Sequence, residues 1–209
     1  MKPLLVYLKP KDNIPQVEEA VKDITCDKLI LKYFPYPEVY RTAHRMISQL
    51  KEYTHIIWLQ NDIVLNYLDY ARLCHRIQQY NFDILGCAMN VDLSPEGMNL
   101  LAYTKEPFLF DEKRGFIDKD PPYVKRGTDK GTIPIFHNGG VFICKRDFYL
   151  KYPLKGFPNT GYNADLCHGI ELNANNELYL LDSDITLLHL RYKGDMMVGR
   201  KPRELLLEK

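Results

Sequence analysis

The sequence predicts a single α/β domain built on a mainly parallel, twisted sheet flanked by helices, and three observations lead there. Short apolar runs that look buried on both faces alternate with amphipathic helical stretches through residues 1–90, the pattern of strands joined by right-handed crossovers. Residues 56–59, Ile56, Ile57, Trp58 and Leu59, read as a central strand that runs straight into Gln60, Asn61 and Asp62. A chain of 209 residues is long enough for one well-packed core and too short for two ordinary ones.

The elements follow in order. Residues 4–8 make a first strand. A helix comes next, with Asn13 as N-cap, Pro15 in its first turn, and Val17, Ala20, Val21 and Ile24 at helical spacing. Residues 28–34 alternate as a second strand, and Pro37 opens a helix whose stripe is Val39, Ala43, Met46, Ile47 and Leu50. Arg41, His44 and Arg45 then fall on or beside its polar face. After the 56–59 strand, Asn66 with Asp69 three residues on resembles a capping box, starting a helix that turns Tyr70, Leu73, Cys74 and Ile77 inward. Residues 82–89 supply a fourth strand.

Beyond Asn90 the regular period is lost. Pro95, Pro107, Pro121, Pro122, Pro134, Gly97, Gly115, Gly127 and Gly131 punctuate an irregular stretch with room for one hairpin, a length typical of lids and binding walls. Residues 135–144, IFHNGGVFIC, return to strand character around Gly139 and Gly140, and residues 147–152 form a short helix. A turn-rich segment then leads to Asn163, Ala164 and Asp165 and a helix through about Asn173. Residues 178–181 and 185–190 read as two final strands, with Asp182, Ser183 and Asp184 as the turn between them. The expected division is a regular half (about 1–90), a less regular half (about 91–192) and a basic tail (193–209).

Composition narrows the function classes. Lys and Arg number 28 against 27 Asp and Glu, so no global field recruits nucleic acid or an anionic membrane. The N-terminal apolar run is broken by Lys9 and Pro10, and no stretch reaches membrane-spanning length, which predicts a cytoplasmic protein without a membrane span. The five cysteines contain no C-x-x-C pair and are expected to be reduced core residues.

Asp62 is the first candidate for chemistry. In open α/β sheets ligands gather at the carboxyl ends of strands, where loop amides and helix N-termini face a crevice. An acid there also satisfies turn amides, and the tripeptide alone does not separate the two roles.

Taken in order, these pieces resemble a GT-A glycosyltransferase, the nucleotide-sugar-dependent fold typified by the large family-2 group. The resemblance covers about residues 4–192 and rests on four segments. IIWLQNDIVL stands where such enzymes carry an apolar strand ending in a D-x-D motif. VYRTAHRMISQLKEY is similar to the helix that precedes it. HNGGVFICKRDFY resembles the glycine-bearing strand that floors the donor pocket, and YNADLCHGIELNANNELYLLDSDITLLHLRY resembles the family's E-D helix, strand pair and terminal histidine.

The resemblance implies a GT-A-like domain with a nucleotide-binding half (about 1–90) and a smaller mixed C-terminal part that takes the donor sugar and acceptor (about 91–192), a nucleotide-sugar donor (a UDP- or GDP-sugar) and a hydroxyl acceptor on a glycan, lipid or protein. It implies Mn²⁺ or Mg²⁺ held by Asp62 and His189 against the charge of the leaving diphosphate. Asp165, near a helix N-terminus, is implied as the general base of an inverting transfer; its plainer role is a helix cap. Gly139 and Gly140 would let the sugar lie close to backbone amides, or form a hairpin turn or bulge. His137 and Asn138 would bond sugar hydroxyls, Gln60 and Asn61 complete the motif, Arg191 and Lys193 reach phosphates, and Lys9, Arg41 and Arg45 lie where the base and ribose are received. The motif departs from the family pattern, since Gln60 and Asn61 leave one carboxylate where relatives often have two or three. That departure supports an alternative, a non-catalytic nucleotide- or glycan-binding module. A sugar-phosphate nucleotidyltransferase would need a glycine-rich loop after the first strand, and LKPKDNIPQ has no glycine.

Overall fold

The structure is a computed structural model that describes residues 1–9, 14–32, 38–90, 102–104, 110–111, 115–116, 132–138, 140–155, 164–190, 192–193 and 204–205. Asn13, Pro37, Gly139 and Arg191 lie outside the described residues, as does the segment 156–163. The elements run β1 (Pro3–Lys9), α1 (Pro15–Asp23), β2 (Asp27–Lys32), α2 (Glu38–Gln49), β3 (His55–Leu59), β4 (Ile63–Val64), α3 (Tyr67–Tyr80) and β5 (Ile84–Asn90). They continue with β6 (Ala102–Thr104), β7 (Phe110–Asp111), β8 (Gly115–Phe116), β9 (Thr132–Asn138), β10 (Val141–Lys145), α4 (Arg146–Lys151), α5 (Ala164–Ala174), β11 (Leu180–His189), β12 (Tyr192–Lys193) and β13 (Glu204–Leu205).

The main sheet is ordered β2-β1-β3-β10-β5-β11-β9-β6, with β4 paired to β11. Strands β2, β1, β3, β5 and β11 share one direction, and β10 runs against them between β3 and β5. The two-residue side-chain period sorts the core onto two faces. Leu4, Val6 and Leu8 of β1 join Ile56 and Trp58 of β3 under α2, α4 and α5, where Tyr40, Ile47, Tyr149 and Leu172 are buried. Leu5 and Tyr7 join Ile57 and Leu59 under α1 and α3, packed by Val17, Val21, Leu73 and Ile77. Trp58 is the centre of the first face, stacked at ring distances of 6.0 Å from Tyr40, 6.3 Å from Phe142 and 6.0 Å from Tyr149. That packing explains the apolar run as a central strand buried on both sides.

Several sequence expectations hold. The Asn66 side chain accepts from the Asp69 N–H at 2.9 Å, capping the helix, and donates to the Asp69 carboxylate at 2.7 Å, which holds the cap in place. Among the described residues of the irregular stretch, β7 pairs antiparallel with β8. Others are corrected. Residues 135–144 are not one strand: β9 pairs with β11 and β6, whereas β10 pairs with β3 and β5. The chain changes partners by Gly140, and β9 and β10 do not pair with each other.

Where two final strands are expected, the structure has one, β11, with a register shift between Asp182 and Thr186. Asp182 is not in a turn but fully buried, and its carboxylate accepts from the Asp184 N–H at 2.9 Å. Arg76 of α3 reaches both acids, 2.9 Å from Asp182 and 3.3 Å from Asp184. Burial pushes the Asp182 carboxyl above its usual pKa, opposed by the Asp184 N–H and the guanidinium. Among the described residues no helix is long and apolar enough to cross a membrane.

Arg76→Met leaves Asp182 inside without its cation. The expected loss in urea unfolding at pH 7 is about 3 kcal/mol, the range for stripping one partner from a buried pair. Because a raised folded-state pKa favours the protonated acid, the stability Asp182 itself contributes is present below its unfolded pKa and fades as pH rises through the folded one. The deficit of the variant is therefore expected to shrink as pH falls towards 4.

Candidate functional site

Five sequence-nominated positions meet on one edge of the sheet. The carboxyl end of β3 delivers Gln60, Asn61 and Asp62, and β10, running the other way, begins beside them: Val141 pairs with Leu59, and the Gln60 N–H donates to the Gly140 carbonyl at 2.9 Å. The short strand β4 then pairs antiparallel with the end of β11, Ile63 opposite His189, and the Leu190 N–H donates to the Asp62 carbonyl at 2.8 Å. Asp62 and His189, far apart in sequence, thus occupy neighbouring backbone positions. Asp62 is buried, whereas Gln60 and Asn61 are half-buried.

Gly140 is required by its surroundings. Its φ of +109° lies where a side chain is strained, and a Cβ there would stand 2.7 Å from both Gln60 Oε1 and Ile63 Cδ1. The missing side chain is what lets Gln60 fold back over the start of β10. His137 and Asn138 end β9 just before it, so chain connectivity keeps their backbones near this edge.

Lys9 ends β1, whose Tyr7 is level with Leu59, so it stands at the same edge. It is paired with Glu18 at 2.9 Å, and Tyr7 donates to the same carboxylate at 2.9 Å. Burial works against ionising Glu18, but these two bonds outweigh it and hold its carboxyl below the usual value. Arg41 and Arg45 are exposed on α2. Asp165 lies in the first turn of α5, half-buried and close enough to Tyr179 to oppose loss of its phenolic proton, a pKa that burial already raises. Lys193 belongs to β12, beyond β11.

Sequence reading passed over His168. It is buried on α5 against Phe142 (5.5 Å) and Tyr179 (6.2 Å), placing an imidazole one helical turn from Asp165. The available signal was its i+3 spacing from Asp165, which sets both on one side of the helix.

Among the described residues no group of three or more His, Cys, Asp or Glu is placed to hold a metal. Asp62 offers a hard carboxylate oxygen of the kind Mn²⁺ or Mg²⁺ takes, and the β4–β11 register sets His189 opposite Ile63, the next residue along. A groove of about 970 Å³ lies at the opposite, amino end of the strands, lined by His55, Asp83 and Lys145 among others. Its cations Lys145 and Lys151 are matched by Asp83 at 2.9 Å and Glu177 at 3.1 Å.

No family model and no curated protein matches the chain. Solved structures do. The chain is similar to A197 from STIV, at 16% identity over 97% of this chain and 99% of that one, with a TM-score of 0.55. It is also similar to GalNAc-T7, crystallised with UDP, GalNAc and Mn²⁺, at 12% identity and a TM-score of 0.63, covering 90% of this chain and 43% of that one. Such identities establish likeness of fold: a GT-A-like α/β architecture, mainly parallel, with a smaller mixed C-terminal part.

Gly140→Ala must either displace Gln60 and Ile63 or move the start of β10. The expected cost is about 3 kcal/mol, combining backbone strain with overpacking, read as a lower urea midpoint at unchanged slope.

Proposed function

We propose that the chain is a glycosyltransferase that moves a sugar from a UDP- or GDP-sugar to a hydroxyl acceptor. The observation that carries the reading is the meeting of Asp62, Gly140 and His189 at one carboxyl edge of a sheet whose fold is shared with a protein crystallised with UDP, GalNAc and Mn²⁺.

On this reading Asp62, with His189, holds Mn²⁺ or Mg²⁺. The cation, when bound, neutralises the charge that grows on the departing diphosphate. The protein's residues do the rest. Gly140 lets Gln60 fold over the start of β10, and Gln60, Asn61, His137 and Asn138 supply hydrogen bonds around the donor sugar. Lys9, Arg41 and Arg45 serve the base and ribose side, and Arg191 and Lys193 the phosphates. Asp165, in the first turn of α5, takes the proton from the acceptor hydroxyl as its oxygen attacks the anomeric carbon from the face opposite the diphosphate. That geometry inverts configuration.

One observation favours a second reading. The motif after β3 holds a single carboxylate, which suits a nucleotide- or glycan-binding module without turnover.

Calorimetric titration of UDP and GDP with and without Mn²⁺ separates the two. The transferase reading expects binding that needs the cation and weakens at least 10-fold in Asp62→Ala, the scale of losing one charged contact. Metal-indifferent binding without donor hydrolysis favours the module. Asp165→Asn is expected to keep donor affinity while transfer falls about 10²- to 10⁴-fold, the usual contribution of a general base. Transfer at the parental rate in a donor and acceptor screen overturns the assignment of Asp165.

A further inference from the structure

Midway along β11 the strand slips against β5. Leu180, Leu181 and Asp182 stand in register with Leu85, Gly86 and Cys87, yet the next residue of β5, Ala88, meets Thr186, so residues 183–185 are extra on the β11 side. The slip coincides with a change of neighbour on the other side of β11: Leu180, Leu181 and Asp182 pair with β9, whereas Leu188 and His189 pair with β4. Continued in its first register, β11 would set Thr186 opposite Ile63, three residues short of His189. The extra residues of a bulge are left out of the ladder, so other contacts must fix its length. Here Asp182 Oδ1 accepts from the Asp184 N–H at 2.9 Å, and the Arg76 guanidinium spans the two acids, its Nε 2.9 Å from Asp182 Oδ2 and a terminal nitrogen 3.3 Å from Asp184 Oδ2. Arg76 stands on α3, whose Asn66 cap comes shortly after β4. The contacts therefore close a ring, from β4 through α3 and Arg76 to the bulge, and along β11 back to β4.

We propose that Arg76 is a positioning residue for the Asp62 edge: its guanidinium fixes the length of the bulge, and with it the register in which β11 brings His189 to β4. A planar fork of donors holds two carboxylates at a set spacing, which a single ammonium on a flexible stem does not. Loss of the outer contact frees one end of the bulge to slip. The first pairing to loosen is that of β4, because a two-residue strand has little stability of its own. The Leu190 N–H, which donates to the Asp62 carbonyl at 2.8 Å, reports on that pairing directly. The consequence for chemistry rests on the proposed transferase reading: a slipped β11 parts His189 from Asp62 and weakens the hold on a cation that arrives with the nucleotide.

The test measures amide hydrogen exchange in the full chain and in two variants. Asp184→Ala removes the outer, half-exposed contact and keeps the buried Asp182–Arg76 pair, and Arg76→Lys keeps the charge without the fork. In both, the Leu190 amide is expected to exchange about 10-fold faster, the scale of one hydrogen bond to a charged group, while Val6 and Ile57 at the centre of the sheet stay within about 2-fold. Acceleration shared equally by Leu190, Val6 and Ile57 is a general loss of stability and overturns the proposal, as does unchanged exchange at Leu190. Asp184→Ala decides the matter even if Arg76→Lys folds poorly. Titration of Mn²⁺ in the presence of UDP then reads the site, with affinity expected to fall about 10-fold in Asp184→Ala and cation-free UDP binding unchanged. An unchanged Mn²⁺ affinity, in a parent chain that binds the ion with UDP, also overturns the positioning role. A parent chain that takes no Mn²⁺ with UDP sinks the cation reading of Asp62 and His189 instead, and the exchange data alone then decide whether Arg76 sets the register.

Discussion

The antiparallel insertion of β10 between β3 and β5 is the constraint on which the candidate site depends. A sheet made only of crossover units would place β3 beside β5 and leave Gln60 facing open loop. With β10 between them, the carboxyl end of β3 meets the beginning of another strand, and the Gly140 carbonyl receives the Gln60 N–H. The same strand carries Phe142 onto Trp58 and Ile143 onto Ile57, so the contact at the edge is secured by both faces of the core. Displacing the edge therefore means unpacking the centre of the sheet.

The second closure is smaller and acts by a different means. Two residues of β4 pair with the last residues of β11, and this short ladder turns Asp62 back towards the late part of the chain. A two-residue strand has little stability of its own. It persists because Ile63 is fully buried and because Leu190 bonds the Asp62 carbonyl, satisfying a backbone group that would otherwise be interior and unpaired. The rigidity of the Asp62 position is thus borrowed from β11, whose far end is anchored by Leu181 and the Asp182–Arg76 pair.

What was legible in the sequence was whatever local periodicity encodes. β1, α1, β3 and α3 announce themselves by apolar spacing and, for α3, by the Asn66 cap, and Asp62 was singled out because a buried run ends at it. Pairing between distant strands has no such signature. Nothing in IFHNGGVFIC says that its halves belong to different neighbours, because a partner change needs only one residue at positive φ, and the glycine pair is equally compatible with a hairpin. Residues 182–184 were misread for a related reason. Asp and Ser favour turns, but the tertiary partner Arg76, on a helix over a hundred positions earlier in the sequence, makes a charged residue tolerable in the middle of a strand.

That misplacement bears directly on which acid can serve a cation. Asp182, Ser183 and Asp184 spell the literal D-x-D of the chain, yet Asp182 is wholly buried and both carboxylates already face one guanidinium. A divalent ion would have to expel Arg76 from between the two acids and reach a carboxylate, that of Asp182, that is wholly buried. Asp62 stands instead at an edge where strands end, so a diphosphate can bring oxygens of its own. Magnesium-like ions are commonly held by one or two carboxylates together with substrate phosphates. On the proposed reading, one protein carboxylate is then sufficient, provided cation and nucleotide arrive together; the thinness of the QND motif makes metal binding conditional on the nucleotide.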